Sequence, residues 1–319
     1  MNNSIPTKKD LEGTHKRVQP FVHRTPILTS RLINELVGSL LFFKCENFQK
    51  AGAFKMRGAI NAIQQLTADQ KSNGVVTHSS GNFAQAVSLA AKQLGVKAYI
   101  VMPSNAPKVK IEGVKTYGGE ITFSEPNLAS REREANRIQK ETGATFLHPS
   151  NNLDVILGQG TSAIEFIEDQ SNLDVILTPV GGGGLLAGTA LACHYYHSTC
   201  KVIGGEPLQV NDAFRSLKSG KIEYNEHSNT IADGLRTHLG DINFPIITEL
   251  VDEIICVSEE EIITAMKIIW ERMKIIVEPS SAVPLAAILK EKKYFKGKNI
   301  GVILSGGNVD ISKLPFNKD

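Results

Sequence analysis

No apolar run in these 319 residues approaches the length of a bilayer span, and the opening MNNSIPTKKDLEGTHKRV lacks the apolar stretch of a secretory leader. Cysteine is scarce. The four present, Cys45, Cys193, Cys200 and Cys256, contain no C-x-x-C pair, which argues against a disulfide-stapled scaffold and for reduced thiols in a cytoplasmic protein. An excess of one charge is missing too: 35 Lys and Arg stand against 33 Asp and Glu, and the net +2 is spread along the chain. That excludes a basic stripe for nucleic acid or a membrane surface. Repeats and low-complexity segments are absent. What remains is ordinary globular composition, 41% hydrophobic, with enough core for one large or two smaller domains.

One cluster imitates a metal site. In CHYYHSTC, His194 and His197 share a helix face, but Cys193 and Cys200 point elsewhere and the spacing fits no structural zinc pattern. We read it as a helix running out toward the strand KVIGGE.

From about residue 75 onward, short β-rich runs alternate with helical patterns. Strands are expected at 74–80, 97–102, 120–125, 144–149, 174–180, 201–206, 253–258 and 299–305, and helices at 82–94, 128–142, 163–169 and 259–274. Such alternation predicts parallel sheets covered by helices on both faces, with ligands at the carboxyl ends of the strands. The number of strands favours two sheets. The expected division is a small domain at 75–148 inserted into a larger one made of 1–74 and 149–319.

Three strand-to-helix turns and one lysine carry the chemistry. In PVGGGGLLAG, Gly181 to Gly184 follow a buried strand and lead straight into an apolar helix. A tight connection needs one or two glycines; four expose backbone N–H groups at a helix N-terminus, where a phosphate binds. Gly182, Gly184 and Ala187 also fit G-x-G-x-x-G/A, with Glu206 closing the next strand, so a nicotinamide-dependent Rossmann oxidoreductase is the competing enzyme class. In THSSGNFAQA, Ser79, Ser80, Gly81 and Asn82 open a helix; capping explains one of them, and the set suits a carboxylate. In ILSGGNVD, Ser305 to Asn308 form a polar rim. Lys55 sits inside the apolar AGAFKMRGAI, where it either snorkels or is a desolvated amine able to attack a carbonyl. A phosphate cradle, a carboxylate cradle, a hydroxyl and a poised lysine together meet the needs of pyridoxal 5′-phosphate chemistry.

GAFKMRGA, SSGNFAQA, VGGGGLLAG, IADG and LSGGNVD resemble, in the same order, motifs of the fold-type II pyridoxal-phosphate enzymes, nearest to the serine/threonine dehydratases, serine racemases and threo-3-hydroxyaspartate dehydratases. The likeness runs from about residue 20 to 311. It implies a tryptophan synthase β-like α/β fold, two open parallel-sheet domains with the site in the cleft between them, and a homodimer. By position, Lys55 would bind the cofactor as a Schiff base and act as acid/base on one face of the substrate Cα, with Ser80 on the other. Phe54, Asn82, Gly181 to Gly184, Gly234 and Ser305 would hold the cofactor, Asn82 at its 3′-oxygen and Ser305 at its ring nitrogen. Ser79, the N–H groups of Asn82 and Phe83, and Arg131 would take the amino-acid substrate. GGEPLQVND resembles the family's divalent-cation site, with Glu206, Asp212 and the Val210 carbonyl around Mg²⁺, Ca²⁺ or Mn²⁺. Lys274 matches a nucleotide-effector contact. The eleven residues after Asn308 imply no regulatory domain of the biosynthetic threonine dehydratases.

Three positions depart from the family pattern. Ala53 stands for a usual serine, Phe83 for a histidine, and Ser150 for Asn or Asp. The implied reaction is β-elimination of L-serine, L-threonine or threo-3-hydroxyaspartate to a 2-oxoacid and ammonia, with serine racemisation where Ser80 returns the proton. A non-catalytic amino-acid-binding homologue is the remaining alternative.

Overall fold

The computed structural model describes residues 5–106 and 108–316. Its strands in chain order are β1 (Ile27–Leu28), β2 (Leu40–Cys45), β3 (Val75–His78), β4 (Ala98–Pro103), β5 (Glu120–Ser124), β6 (Thr145–Phe146), β7 (Val175–Pro179), β8 (Lys201–Pro207), β9 (Glu253–Val257) and β10 (Asn299–Leu304). They form a six-stranded sheet in the order β1-β2-β10-β7-β8-β9 and a four-stranded sheet in the order β5-β4-β3-β6. Every pairing is parallel except β1 with β2, so the larger sheet carries one antiparallel edge.

Strands covered on both faces read as continuous apolar runs, and β7, VILTP, is buried at every residue. Ile176, Val202, Ile254 and Ile303 point to one face of the large sheet; Val175, Leu177, Ile203, Ile255 and Val302 point to the other. Each such side chain contributes about 1.5–3 kcal/mol on burial. The small sheet draws its apolar cluster from outside its own strands: Val18, Val22, Met56 and Ile60 pack with Phe83, Val87 and Ile100. The first helices of the chain thereby join the two sheets.

All eight expected strands are present. β1 and β2 are additional, and β2 escaped the reading because LLFFKC ends toward a buried lysine. The helix expected at 163–169 begins ten residues earlier and spans Leu153–Asp169. Its Gly158 and Gly160 resemble helix breakers but sit where neighbouring helices touch its backbone. No helix among the described residues is long and apolar enough to cross a membrane.

Candidate active site

Lys55 opens the helix Lys55–Gln64 directly after a constrained turn. Ala51 and Gly52 both have positive φ (57° and 70°), and Phe54 N–H donates to the Ser305 carbonyl at 3.0 Å. The turn therefore hangs Lys55 on the end of β10. Its ammonium does not snorkel. Nζ donates to the Pro149 carbonyl at 2.6 Å and lies 5.0 Å and 5.7 Å from the ring centroids of Phe54 and Phe83. Burial lowers its pKa to about 8, with Glu278 partly opposing the shift. A neutral amine is thus accessible close to neutral pH.

The glycine run follows β7. A Cβ on Gly181 would come within 2.7 Å of Leu235 Cα, one on Gly184 within 3.0 Å of the Ser150 carbonyl oxygen, and one on Gly182 would strike the Ser150 hydroxyl. Gly183 has φ +80° and precedes the helix Gly184–Tyr196. The N–H groups of Gly181 to Gly184 find no acceptor among the described residues. Buried donors without partners at a helix start suit an anion. Asn243 braces the run from behind, donating to the carbonyls of Gly182 at 2.9 Å and Ser150 at 3.3 Å. Pro149 touches Lys55 while Ser150 packs on the glycines, so amine and cradle are one residue apart.

Asn82 starts the helix Asn82–Leu94. Its Nδ2 donates to both oxygens of Glu278 at 2.8 and 3.0 Å, and its Oδ1 accepts from Asn308 Nδ2 at 3.0 Å. The sequence reading missed Glu278; its only signal was a carboxylate in the N-cap position before Pro279. Burial and Asp233 raise the Glu278 pKa to about 7, against Asn82, Lys110 and Lys55. Ser79 and Ser80 are half-buried beside Asn82, and Ser79 Oγ accepts the Gly81 N–H at 3.3 Å. Ser305 Oγ lies 3.0 Å from Ser281 Oγ, which is itself engaged by both the N–H and the carbonyl of Gly306 at 2.7 Å. With the Ser281 proton given to the Gly306 carbonyl, the Ser305 hydroxyl donates to Ser281 Oγ and has to rotate away from it to reach a ligand nitrogen. Gly234 N–H donates to Ser280 Oγ at 3.2 Å, next to the cradle.

His148 was also missed. Its Nδ1 accepts N–H from Ser150 (3.2 Å) and Asn151 (2.8 Å), which assigns its proton to Nε2. Burial, His78 and Lys55 push its pKa down to about 4, so it stays neutral. His78 lies 6.3 Å from it, ring to ring. Arg131, on the helix Leu128–Thr142, faces His78, and its buried Nε has no partner among the described residues.

Glu206 and Asp212 lie apart from this constellation. Glu206 accepts the N–H groups of Ala213 (2.9 Å) and Phe214 (2.8 Å); Asp212 accepts from Asn225 and from Leu239 N–H. Each Glu206 oxygen accepts one backbone N–H and keeps a lone pair for a further ligand. Burial and Asp212 raise the Glu206 pKa, and burial raises that of Asp212 to about 6. Such a strained acidic pair fits a cation, although no group of three or more His, Cys, Asp or Glu forms a metal cage among the described residues. The CHYYHSTC cysteines are free thiols.

Cradle, amine and Ser305 fit pyridoxal phosphate: free N–H donors for its phosphate, a desolvated lysine for its aldehyde and a hydroxyl for its ring nitrogen. Residues 18–306 match the family described as "Pyridoxal-phosphate dependent enzyme". The chain is 50% identical to the serine racemase of Dictyostelium discoideum over 312 residues, covering 97% of this chain and 96% of that protein. It is 49% identical to the beta-hydroxyaspartate dehydratase of Paracoccus denitrificans over 313 residues, covering 98% and 99%. The solved structure of maize serine racemase matches with a TM-score of 0.93 at 47% identity, covering 95% of this chain and 94% of that one.

Proposed function

The chain belongs to the pyridoxal-phosphate-dependent enzymes of fold type II, and from that premise we propose that it is an ammonia-lyase acting on β-hydroxy amino acids, with serine racemisation as a second outcome at the same site. The observation that carries the proposal is Lys55: an amine with its pKa lowered to about 8 by burial, bonded to the Pro149 carbonyl, whose neighbour Ser150 packs on a cradle of N–H donors without protein acceptors. The relatives named serine racemase and beta-hydroxyaspartate dehydratase support the two outcomes.

When bound, the cofactor supplies an electron sink for charge developing at the substrate Cα. Gly181 to Gly184, with Gly234 beside them, would hold its phosphate, with Phe54 at its ring and Asn82 at its 3′-oxygen. Ser305, turning its hydroxyl from Ser281, would donate to the ring nitrogen and leave it unprotonated, which would moderate the sink and favour elimination over transamination. Ser79 and the N–H groups of Asn82 and Phe83 receive the substrate carboxylate, and Arg131 reaches in from its helix. Lys55 takes the Cα proton; Ser80 gives or takes one on the opposite face. Phe83 in place of histidine keeps its N–H but makes this wall apolar. Glu206, Asp212 and the Val210 carbonyl hold a structural divalent cation, Mg²⁺, Ca²⁺ or Mn²⁺. A homodimer and a cytoplasmic location complete the reading.

The test is to incubate cofactor-loaded protein with L-serine, D-serine, L-threonine and threo-3-hydroxyaspartate, following 2-oxoacid release and serine chirality together. Oxoacid is expected from at least one, and Lys55→Ala abolishes it. Ser80→Ala suppresses racemisation more than L-serine elimination; equal loss of both undoes the Ser80 role. Silence across the panel rejects the substrate class.

A further inference from the structure

Two residues past Lys55, and unused by the chemistry above, Arg57 is fully buried within a group of four charges. Its Nε and Nη2 donate to the two Glu46 oxygens, and its Nη1 and Nη2 to the two Glu165 oxygens, all at 2.8 Å. Lys44 Nζ donates to Glu165 at 2.9 Å and to the Thr25 carbonyl at 2.8 Å, and the Thr25 hydroxyl donates to Glu46 at 2.6 Å. Two cations balance two anions, and every carboxylate oxygen is paired. Burial opposes the charge on Arg57, but Glu46 and Glu165 outweigh it and hold the guanidinium protonated.

Stability alone does not account for this group. Apolar side chains of similar volume in place of a buried ion cluster are often neutral or stabilising. What the cluster adds is direction, because the guanidinium fork donates to its two carboxylates only in its own plane. Direction is what this helix needs. The helix Lys55–Gln64 meets Leu153–Asp169 at backbone contact, where a Cβ on Gly158 would lie 2.6 Å from Gly58 Cα. The same Leu153–Asp169 helix meets Gly184–Tyr196 at a second such contact, where a Cβ on Gly160 would lie 2.7 Å from the Gly188 carbonyl oxygen. One helix therefore carries the lysine on one side and the cradle on the other. Glycine contacts fix how close the helices approach but leave rotation and sliding free. Arg57, reaching Glu165 on the shared helix and Glu46 after β2, removes both freedoms.

We propose that Arg57, with Lys44, Glu46 and Glu165, is a positioning element that sets the reach of Lys55 Nζ toward the glycine cradle. The proposal rests on reading Lys55 as the covalent anchor and Gly181 to Gly184 as the phosphate cradle. The experiment separates the two. The full chain, stripped of cofactor, is titrated with pyridoxine 5′-phosphate, which has the phosphate and ring but no aldehyde. It is then mixed with pyridoxal 5′-phosphate, and the rate of capture is read by visible absorbance, with borohydride trapping and peptide mapping. In capture, the neutral Nζ adds to the aldehyde carbon, C=N replaces C=O, and one water leaves.

Lys44→Met with Glu165→Met removes the acceptor on the shared helix and keeps the group neutral. Its expected behaviour is pyridoxine-phosphate binding within about twofold of the parent, with capture slowed about tenfold or more. Arg57→Lys keeps the charge, loses the fork and shows the same split, so the test survives if the double variant fails to fold. Capture at the parent rate in folded variants overturns the proposal. So does a parallel loss of analogue binding and capture, which marks a general structural role. Trapping at a lysine other than Lys55 in the parent protein removes the premise, and the proposal with it.

Discussion

A half-buried lysine and a buried glutamate in the same site have displaced proton affinities. Lys55 is pushed down to about 8 and Glu278 up to about 7, each chiefly by burial. For Glu278 the sign of the stability effect is definite. Its folded pKa lies above the ordinary glutamate value of 4.5, so below that pH the residue costs nothing, and the penalty builds as pH rises from there to about 7 and is full above it. The gap corresponds to roughly 3 kcal/mol in the cofactor-free chain. Glu278→Gln is therefore expected to raise the Tm of that chain at pH 8 and leave it nearly unchanged at pH 5, as calorimetry across pH would show. A Tm gain independent of pH means that Glu278 does not titrate in this range. Lys55 was legible in the sequence because the three strand-to-helix turns supply partners for a poised amine; its own apolar run reads equally as a snorkelling lysine. Glu278 and His148 were not, because what makes them unusual is contributed by Asn82, Asp233, His78 and Lys55, residues remote in the chain.

At the level of the element, the glycine run is the most fully legible feature. Four glycines between a buried strand and an apolar helix admit few structures, and the N–H donors stand where that reasoning puts them. Its tightness was not legible, since it comes from Ser150, Leu235 and Leu239 packing on the run from other parts of the chain. Gly182→Ala tests this. The added methyl meets the Ser150 hydroxyl, and overpacking of this kind costs about 1–3 kcal/mol. Cofactor affinity is expected to fall at least about tenfold, measured by pyridoxal-phosphate titration, and Ser150→Gly in the same chain should restore part of it. The helix Leu153–Asp169 gives the opposite lesson. Its glycines read as breaks, yet they are what allows two neighbours to approach its backbone.

On the scale of the molecule, the two sheets are tied across the site by polar contacts. Asn82, on the helix after β3, reaches Glu278 and Asn308; Lys110, on Lys108–Thr116 between β4 and β5, reaches Asp233 in the turn beside Gly234. The sequence order of strands made two sheets legible, but not these ties, whose partners lie 196, 226 and 123 residues apart. The Lys110–Asp233 pair has a buried cation and a half-exposed anion, with side-chain exposures of 9% and 38%. A pair of that kind contributes only about 0–1 kcal/mol to stability. Its larger effect falls on the geometry of the cleft, because it joins the small-sheet helix to the turn that carries Gly234. Lys110→Ala is thus expected to shift Tm by no more than a few degrees while raising KM for the amino acid severalfold, with kcat less affected. Salt screens an exposed carboxylate, so raising ionic strength should move the parent's KM in the same direction and leave that of Lys110→Ala flat. Steady-state kinetics at two salt concentrations checks this, and an equal salt response in both proteins would show that the pair does not shape the cleft.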